Sequence, residues 1–233
     1  MVFKIMRLEF AKKLIEKTQD YYEQRAQDFS ASRQRDWPLF ISLVNYIKKG
    51  GSVLDLGCGN GRFYPLVLQK GADYLGLDTS SRLLSEAKKM YPQGKFAAGD
   101  VLDLKIKDKF DAVFLIAVLH HIPSRDLRQE ALCNVAKAIK AGGLALITNW
   151  NLFQGKFCSL RLHYNLKKVL GKNKMDFNDI LYKEKRYYHG FTKREIARLL
   201  RNVGLRVLKN YYEKDGIKTV RCKGQNLVTV GRK

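Results

Sequence analysis

The segment VLDLGCGNGRF, Val53 to Phe63, decides the reading of this chain. It is an apolar strand that runs into a glycine-rich turn, which in turn opens a helix. Gly57, Gly59 and Gly61 permit tight curvature and a close approach of ligand to backbone that a Cβ would block. Alone, a G-x-G-x-G turn also fits dinucleotide sites, whose related G-x-G-x-x-G holds a pyrophosphate. Asp55 separates the two readings. Placed two residues before the first glycine, its carboxylate would repel a pyrophosphate, whereas it can hold the ammonium of a methionine-like ligand, directly or through water.

Further blocks follow in order. The strand LGLD ends at Asp78, where a carboxylate can take both hydroxyls of a ribose. In AAGDVLDL, Asp100 can accept from an adenine amino group, and Val101 offers a backbone N–H. In FDAVFLIAVLHHI, Asp111 precedes the fourth strand at the edge away from the ligand, so it reads as a turn or capping residue. KAGGLALIT is a glycine turn feeding a buried strand. Short β-rich runs thus alternate with helical patterns from Gly51 onward, the signature of βαβ units and a parallel sheet. The predicted strands are 52–56, 74–78, 95–99, 110–116, 144–149, 205–210 and 226–231. The predicted helices are 62–70, 80–90, 125–139 and 193–203, with two more in residues 5–49 joined around Phe29–Pro38.

These five blocks, in this order and spacing, resemble the class I S-adenosylmethionine (SAM)-dependent methyltransferases. The resemblance implies an α/β, Rossmann-like, seven-stranded, mostly parallel sheet whose last strand runs antiparallel beside the sixth. SAM is the implied cofactor. The implied contact set is Asp55, Gly57, Cys58, Gly59, Asn60, Gly61, Asp78, Thr79, Asp100, Val101, Ile116 and Ala117. A single domain, 1–233, accommodates all of it: a helical cap (1–50), a cofactor-binding core (51–150), a basic insertion (151–190), and a final helix with a strand hairpin (191–233).

Composition bounds the rest. The 233 residues are 45% hydrophobic and include twelve Phe and twelve Tyr, enough for a substantial core. No run approaches the ~18 apolar residues of a membrane span, and the start, MVFKIMRLEFAKK, reads as a helix and not a signal peptide, so a cytoplasmic protein is expected. Cys58, Cys133, Cys158 and Cys222 lie far apart, which argues against a zinc site and against a disulfide framework. The net charge of +22 is uneven: about +4 in residues 1–50, +3 in 51–150 and +15 in 151–233. Such a distribution points to a catalytic core beside a face for a polyanion, although charge alone fits nucleic acid or an anionic membrane.

Three flanking stretches narrow the acceptor: FSASRQRDWP (Phe29–Pro38), the His120–His121 pair, and RYYHGF beginning at Arg186. Together they resemble the methyltransferases that convert 5-carboxymethyluridine at the tRNA wobble position to its methyl ester. Ser32 stands where a threonine is more usual, and the stretch 152–188 is longer and more basic than the family pattern. A carboxylate acceptor is already ionised at neutral pH, so the site needs alignment more than a strong base. Arg33 is the expected carboxylate clamp, His121 is expected to line the acceptor pocket, and Trp150 to stack on the flipped-out base. No carboxylate or thiol accompanies the histidines at ligand spacing, so no metal site is expected.

In the insertion, Lys156, Arg161, Lys167, Lys168, Lys172 and Lys174 alternate with aromatics, and with Arg186 and His189 they form the expected RNA-binding set. A helix over 160–170 is expected to pack on the core by its leucines. The expected partners are tRNA and, as in eukaryotic members of the family, a small zinc-binding activator protein. Two alternatives stay open: a small-molecule or lipid acceptor on the same SAM core, and a non-catalytic SAM-binding scaffold for a partner.

Overall fold

The structure, a computed structural model, describes residues 6–33, 37–183 and 186–233, with the side chain of Lys156 outside the description. Three helices come first: α1 (Leu8–Gln24), α2 (Ala26–Ala31) and α3 (Pro38–Val44). The core follows as β1 (Ser52–Leu56), α4 (Tyr64–Leu68), β2 (Asp73–Asp78), α5 (Ser81–Met90), β3 (Phe96–Ala98), β4 (Phe110–Ile116), α6 (Arg125–Ala138) and β5 (Ile139–Trp150). After the insertion, made of α7 (Gly155–Val169), β6 (Asp179–Tyr182) and β7 (Arg186–His189), the chain closes with α8 (Lys193–Asn202), β8 (Arg206–Lys214), β9 (Ile217–Thr219) and β10 (Asn226–Arg232).

The main sheet has the order β3-β2-β1-β4-β5-β10-β8-β9. β1 pairs parallel with β2 and β4, β5 extends this parallel block, and β10 lies antiparallel to both β5 and β8. Strands covered on both faces must be apolar on both, and the side chains divide accordingly. Leu54, Leu56, Val113, Leu115, Ala145 and Ile147 enter the core shared with α6 and α8. Their neighbours Val53, Ala112, Phe114 and Leu146 enter the core shared with α3 and α4. Strand order reverses at β1, which opens a crevice at the carboxyl ends of β1 and β4.

The expected architecture is present, with differences that have local causes. The sheet carries an eighth strand, β9, continuing the β8 edge. The cap has three helices instead of two, because the chain breaks at Arg25, whose φ of −112° and ψ of 21° are not helical. β5 starts at Ile139, five residues early, because Ile139 already pairs with Phe110 ahead of the glycine irregularity. α4 is shorter than expected, since Gly61 to Phe63 are spent on the turn.

The insertion departs most. Residues 179–182 and 186–189 pair antiparallel as the hairpin strands β6 and β7, a second sheet that sequence periodicity did not reveal. The helix of the insertion begins at Gly155, and its leucines do not all pack inward: Leu162, Leu166 and Leu170 are 56%, 59% and 58% exposed.

A buried ionic cluster docks the hairpin on the core. His189, opposite Asp179 in the register, places Nδ1 2.6 Å from Asp179 Oδ1 and Nε2 2.8 Å from Glu195 Oε1 at the start of α8. Only an imidazolium can donate at both nitrogens. Burial pulls its pKa down and Arg128 adds to that, but Glu195 and Asp179 outweigh them and the pKa is raised. The fully buried Arg128 donates through Nη1 to the carbonyl of Ile122 and to the hydroxyl of Tyr187, at 3.2 Å each.

A histidine whose folded pKa is raised contributes stability that is complete below its unfolded value near 6.5 and vanishes as pH rises through the folded value. Thermal unfolding of wild type and His189→Gln across pH 6 to 9 should therefore show the largest gap at pH 6, closing toward pH 9; a gap constant over that range would contradict a charged His189.

Candidate functional site

The crevice is a cavity of about 470 Å³. Its floor is the glycine turn. Gly57 has φ +75°, and a Cβ there would lie 2.3 Å from Val118 Cγ2, so the turn tolerates no side chain. Its N–H and that of Cys58 donate to the carbonyl of Leu77, which ties the turn to β2. Gly61 is corrected: a Cβ there would meet Phe96 Cζ at 2.7 Å, so this glycine lets α4 approach the β3 side and does not face the cavity.

Asp55 is 2% exposed at the end of β1. Its Oδ2 accepts from the Tyr74 hydroxyl at 2.8 Å, whereas its buried Oδ1 has no partner. Burial, with Asp78 nearby, pushes its pKa up to about 7 despite the Tyr74 hydrogen bond. Such an oxygen, orphaned in a wall of the cavity, is what a ligand ammonium would satisfy. Asp78 accepts from the N–H of Gly59 (2.8 Å) and of Ser80 (2.9 Å), leaving each oxygen a lone pair for a hydroxyl. Asp100 caps a short 3₁₀ turn by accepting from Leu102 N at 2.9 Å, and Asn134 holds that turn by donating to the carbonyls of Val101 and Leu102. Cys58, Gly59, Asn60, Thr79, Val101, Ile116 and Ala117 also line the cavity. The residues present therefore fit SAM: Asp55 would take its ammonium, Asp78 its ribose, and Asp100 with Val101 its adenine. Asp111 stays outside, accepting from Ser52 and Lys140 where β1, β4 and β5 begin.

The cap closes the cavity from above. Ile15, Thr18, Gln19 and Tyr22 of α1 and Phe29, Ser32 and Arg33 line it. Glu23 latches α1 to the start of α5 by accepting from Ser80 Oγ (2.6 Å) and Ser81 Oγ (2.7 Å). Of these, Arg33 belongs to the expected set; Ile15, Thr18, Gln19, Tyr22 and Glu23 of α1 do not, and they carry no recognisable spacing in the sequence, Tyr22 being one tyrosine among twelve.

Arg33, Arg62, His120, His121 and Trp150 also line the cavity, so the three residues expected to act on the acceptor share it and make up its candidate acceptor wall. Arg33 sits with Cζ 3.7 Å from the Phe29 ring centroid, and Arg62 lies over Trp37 and Phe40 at 5.0 and 4.8 Å. Among the described residues neither has a carboxylate within ion-pair distance. His121 Nδ1 lies 3.0 Å from the carbonyl of Tyr187, which requires a proton on Nδ1. Its Nε2 then accepts from the Tyr22 hydroxyl at 3.1 Å. Burial, reinforced by Arg186, lowers the His121 pKa to about 4, so the ring is neutral at pH 7 and its lone pair is engaged. The fully buried His120 accepts from Trp150 N–H at 3.3 Å. Trp150 stacks on Tyr188, centroids 5.1 Å apart and planes at 19°.

The expected RNA-binding set separates. Lys167, Lys172 and Lys174 are exposed. Lys168 is only 6% exposed and His189 2%, so neither has surface to offer a phosphate. Arg161 is half-buried and donates to Asn178 Oδ1 at 2.9 Å, bracing the insertion internally. Arg186 is half-buried among Tyr21, Tyr182 and Tyr188. The side chain of Lys156 lies outside the described residues. The four cysteines are free, and among the described residues no three His, Cys, Asp or Glu gather as a metal site. No described helix is long and apolar enough to cross a membrane.

Comparison with known proteins agrees with this geometry. A family model described as a methyltransferase domain matches residues 23–210. A protein of Encephalitozoon cuniculi named as a methyltransferase is 31% identical over 203 residues, 84% of this chain and 90% of that protein. The tRNA (carboxymethyluridine(34)-5-O)-methyltransferase of Saccharomyces cerevisiae is 34% identical over 145 residues, covering 60% of this chain and only 51% of that protein. Its Schizosaccharomyces pombe namesake is 27% identical over 83% of this chain and 90% of its own length. Among solved structures, a chain from the Haloferax volcanii complex with the Trm112 methyltransferase activator has the same fold, with a TM-score of 0.66 at 18% identity over 92% of this chain and 96% of that one.

Ligand-free Asp55 titrates near 7 and an ammonium favours its ionised form, so binding of SAM must displace a proton below that pH. Calorimetry should find SAM affinity falling from pH 7.5 to pH 6, by up to about tenfold per pH unit below 7, whereas Asp55→Asn should bind more weakly and without that slope. Equal slopes in the two proteins would remove Asp55 from the ammonium site.

Proposed function

We propose that this chain, which belongs to the class I SAM-dependent methyltransferase family, esterifies the carboxylate of 5-carboxymethyluridine at the wobble position of tRNA. One observation carries the reading: the acceptor wall joins guanidinium groups without described carboxylate partners to a histidine that cannot serve as a base. His121 has its Nε2 lone pair taken by Tyr22 and a pKa near 4. Acceptors that must lose a proton need a base poised near the working pH; an acceptor that arrives as an anion needs cations and alignment. Relatives named for this reaction at 34% and 27% identity support the same acceptor.

The bound cofactor supplies an electrophilic methyl group on a sulfonium. The chain's own residues supply the rest. Arg33 meets the acceptor carboxylate, in the two-pronged geometry that makes guanidinium the preferred partner for such groups. The ring of Trp150, held by Tyr188, offers a face to the uracil. Tyr22 and Phe29 of the cap, which line the cavity, would shield the reacting groups from water. Alignment of this kind is worth on the order of 7–11 kcal/mol of barrier, which is where an enzyme without a base finds its acceleration.

Exposed Lys167, Lys172 and Lys174, together with the +15 of residues 151–233, support tRNA as the carrier of the acceptor. A small activator protein is the second partner in this reading, supported by the Haloferax chain's association with Trm112.

The reading is tested by methyl transfer from labelled SAM to tRNA bearing carboxymethyluridine, with and without an activator, followed by nucleoside mass spectrometry. The expected product is a base-labile methyl ester on uridine; label entering only an RNA-free metabolite extract would overturn the reading. Arg33→Gln should lower kcat/KM by about tenfold to a hundredfold, the worth of a charged hydrogen bond, with SAM affinity unchanged. Lys167→Glu with Lys172→Glu should weaken tRNA binding and flatten its dependence on salt.

A further inference from the structure

We propose that Arg186 is a specificity-determining residue of the acceptor site: with Arg33 it forms an oxyanion clamp that binds the acceptor as a carboxylate and lets it go as a neutral ester. This rests on the carboxylate acceptor proposed above and assigns Arg186 a place there instead of on an RNA-facing surface.

The hairpin brings Arg186 against Tyr22, which lines the cavity, so that it stands at the edge of the acceptor wall. It opens β7, and the next two residues reach the same wall: Tyr187 through its carbonyl on His121, and Tyr188 through its ring on Trp150. Three rings fix its guanidinium, with Cζ 4.5, 5.4 and 5.6 Å from the centroids of Tyr21, Tyr182 and Tyr188. Stacking of this kind occupies the faces of the guanidinium and leaves its in-plane N–H donors to find partners at the edge. The Tyr22 hydroxyl takes one of them, and the buried Nε has none. As for Arg33, no described carboxylate lies within ion-pair distance of Arg186.

Tyr22 joins the two arginines. Both act electrostatically on its phenol; at Arg33 burial lowers the pKa first, Tyr22 opposes it, and the Arg186 guanidinium adds to the fall. Burial is outweighed by tyrosines at Arg186, whose pKa is raised, whereas that of Arg33 is lowered; two half-buried like charges acting on one phenol repel each other, and an anion beside both would relieve that. Arg62, the third cation of the wall, lies over Trp37 and Phe40 and acts electrostatically on Asp55. The place best suited to negative charge is therefore beside Tyr22, on which both Arg33 and Arg186 act.

The charge balance of the reaction gives this clamp its use. A carboxylate oxygen forms a bond to the methyl carbon as the carbon–sulfur bond breaks and its electron pair stays on sulfur. The carboxylate's negative charge and the sulfonium's positive charge disappear together, and no proton moves. The clamp thus holds an anion before transfer and faces a neutral ester after it, so binding energy is lost at the moment the product should leave.

Binding of three anticodon stem-loops, carrying carboxymethyl-, methoxycarbonylmethyl- or carbamoylmethyluridine, is measured on the full chain saturated with S-adenosylhomocysteine. Wild type should prefer the acid to the ester and the amide by about tenfold or more, the worth of a charge-assisted hydrogen bond. Arg186→Gln should bring the three within about threefold of one another by weakening the acid alone, with cofactor affinity kept. Arg186→Lys, which keeps charge but loses the fork, should retain part of the preference, and it decides the matter should the glutamine variant lose cofactor binding. An unchanged acid preference in the variants would overturn the proposal, as would equal weakening of all three stem-loops, which is the mark of a phosphate contact. Absence of methyl transfer to the acid stem-loop by wild type under any condition would instead sink the acceptor reading on which the proposal stands.

Discussion

The site depends on one buried carboxylate with an oxygen left over. Asp55 lies at the end of the central strand, where neighbouring strands leave in opposite directions, and among the described residues Tyr74 alone hydrogen-bonds its carboxylate. A buried acid with one unpaired oxygen is costly, and here the cost is reflected in a pKa raised to about 7. The glycine turn follows directly on it, and a Cβ at Gly57 would strike Val118, which also lines the cavity. Sheet topology, turn geometry and electrostatics thus converge on a place for a cation with an amino-acid end.

The acceptor side is built on a different principle. Two of its cations, Arg33 and Arg186, come from elements outside the core sheet, the helical cap and the β6–β7 hairpin. The hairpin is held by His189 between Asp179 and Glu195, with Arg128 underneath. This cluster fixes β7, β7 fixes His121 and Trp150, and His121 fixes Tyr22. The order of the acceptor wall is therefore set by ion pairs buried some distance from the chemistry, and the core sheet only provides the shelf.

Legibility in the sequence followed the same division. The core blocks were readable because each rests on a local rule: apolar strands of about five residues, glycines where φ is positive, and carboxylates at strand ends. Asp55, Asp78 and Asp100 stand where that pattern put them, while Gly61 turned out to serve packing. The acceptor wall was legible in its members but not in its assembly. Arg33, His121 and Trp150 do share it, yet Tyr22 and Arg186 join through contacts across 99 and more residues that no periodicity announces. The hairpin has strands of four residues joined by charged residues and no glycine, too weak a signal to detect. Lys168 and His189 looked like surface cations by composition, whereas burial is decided by tertiary packing.

The most direct test of the account is a crystal structure of the full chain with S-adenosylhomocysteine and a stem-loop carrying carboxymethyluridine. The account predicts the amine of the cofactor product against Asp55 Oδ1, the uracil on Trp150, and the acceptor carboxylate on the Arg33 guanidinium beside Tyr22, aimed at the sulfur. A nucleoside bound elsewhere, or a carboxylate turned away from Arg33 toward solvent, would contradict it.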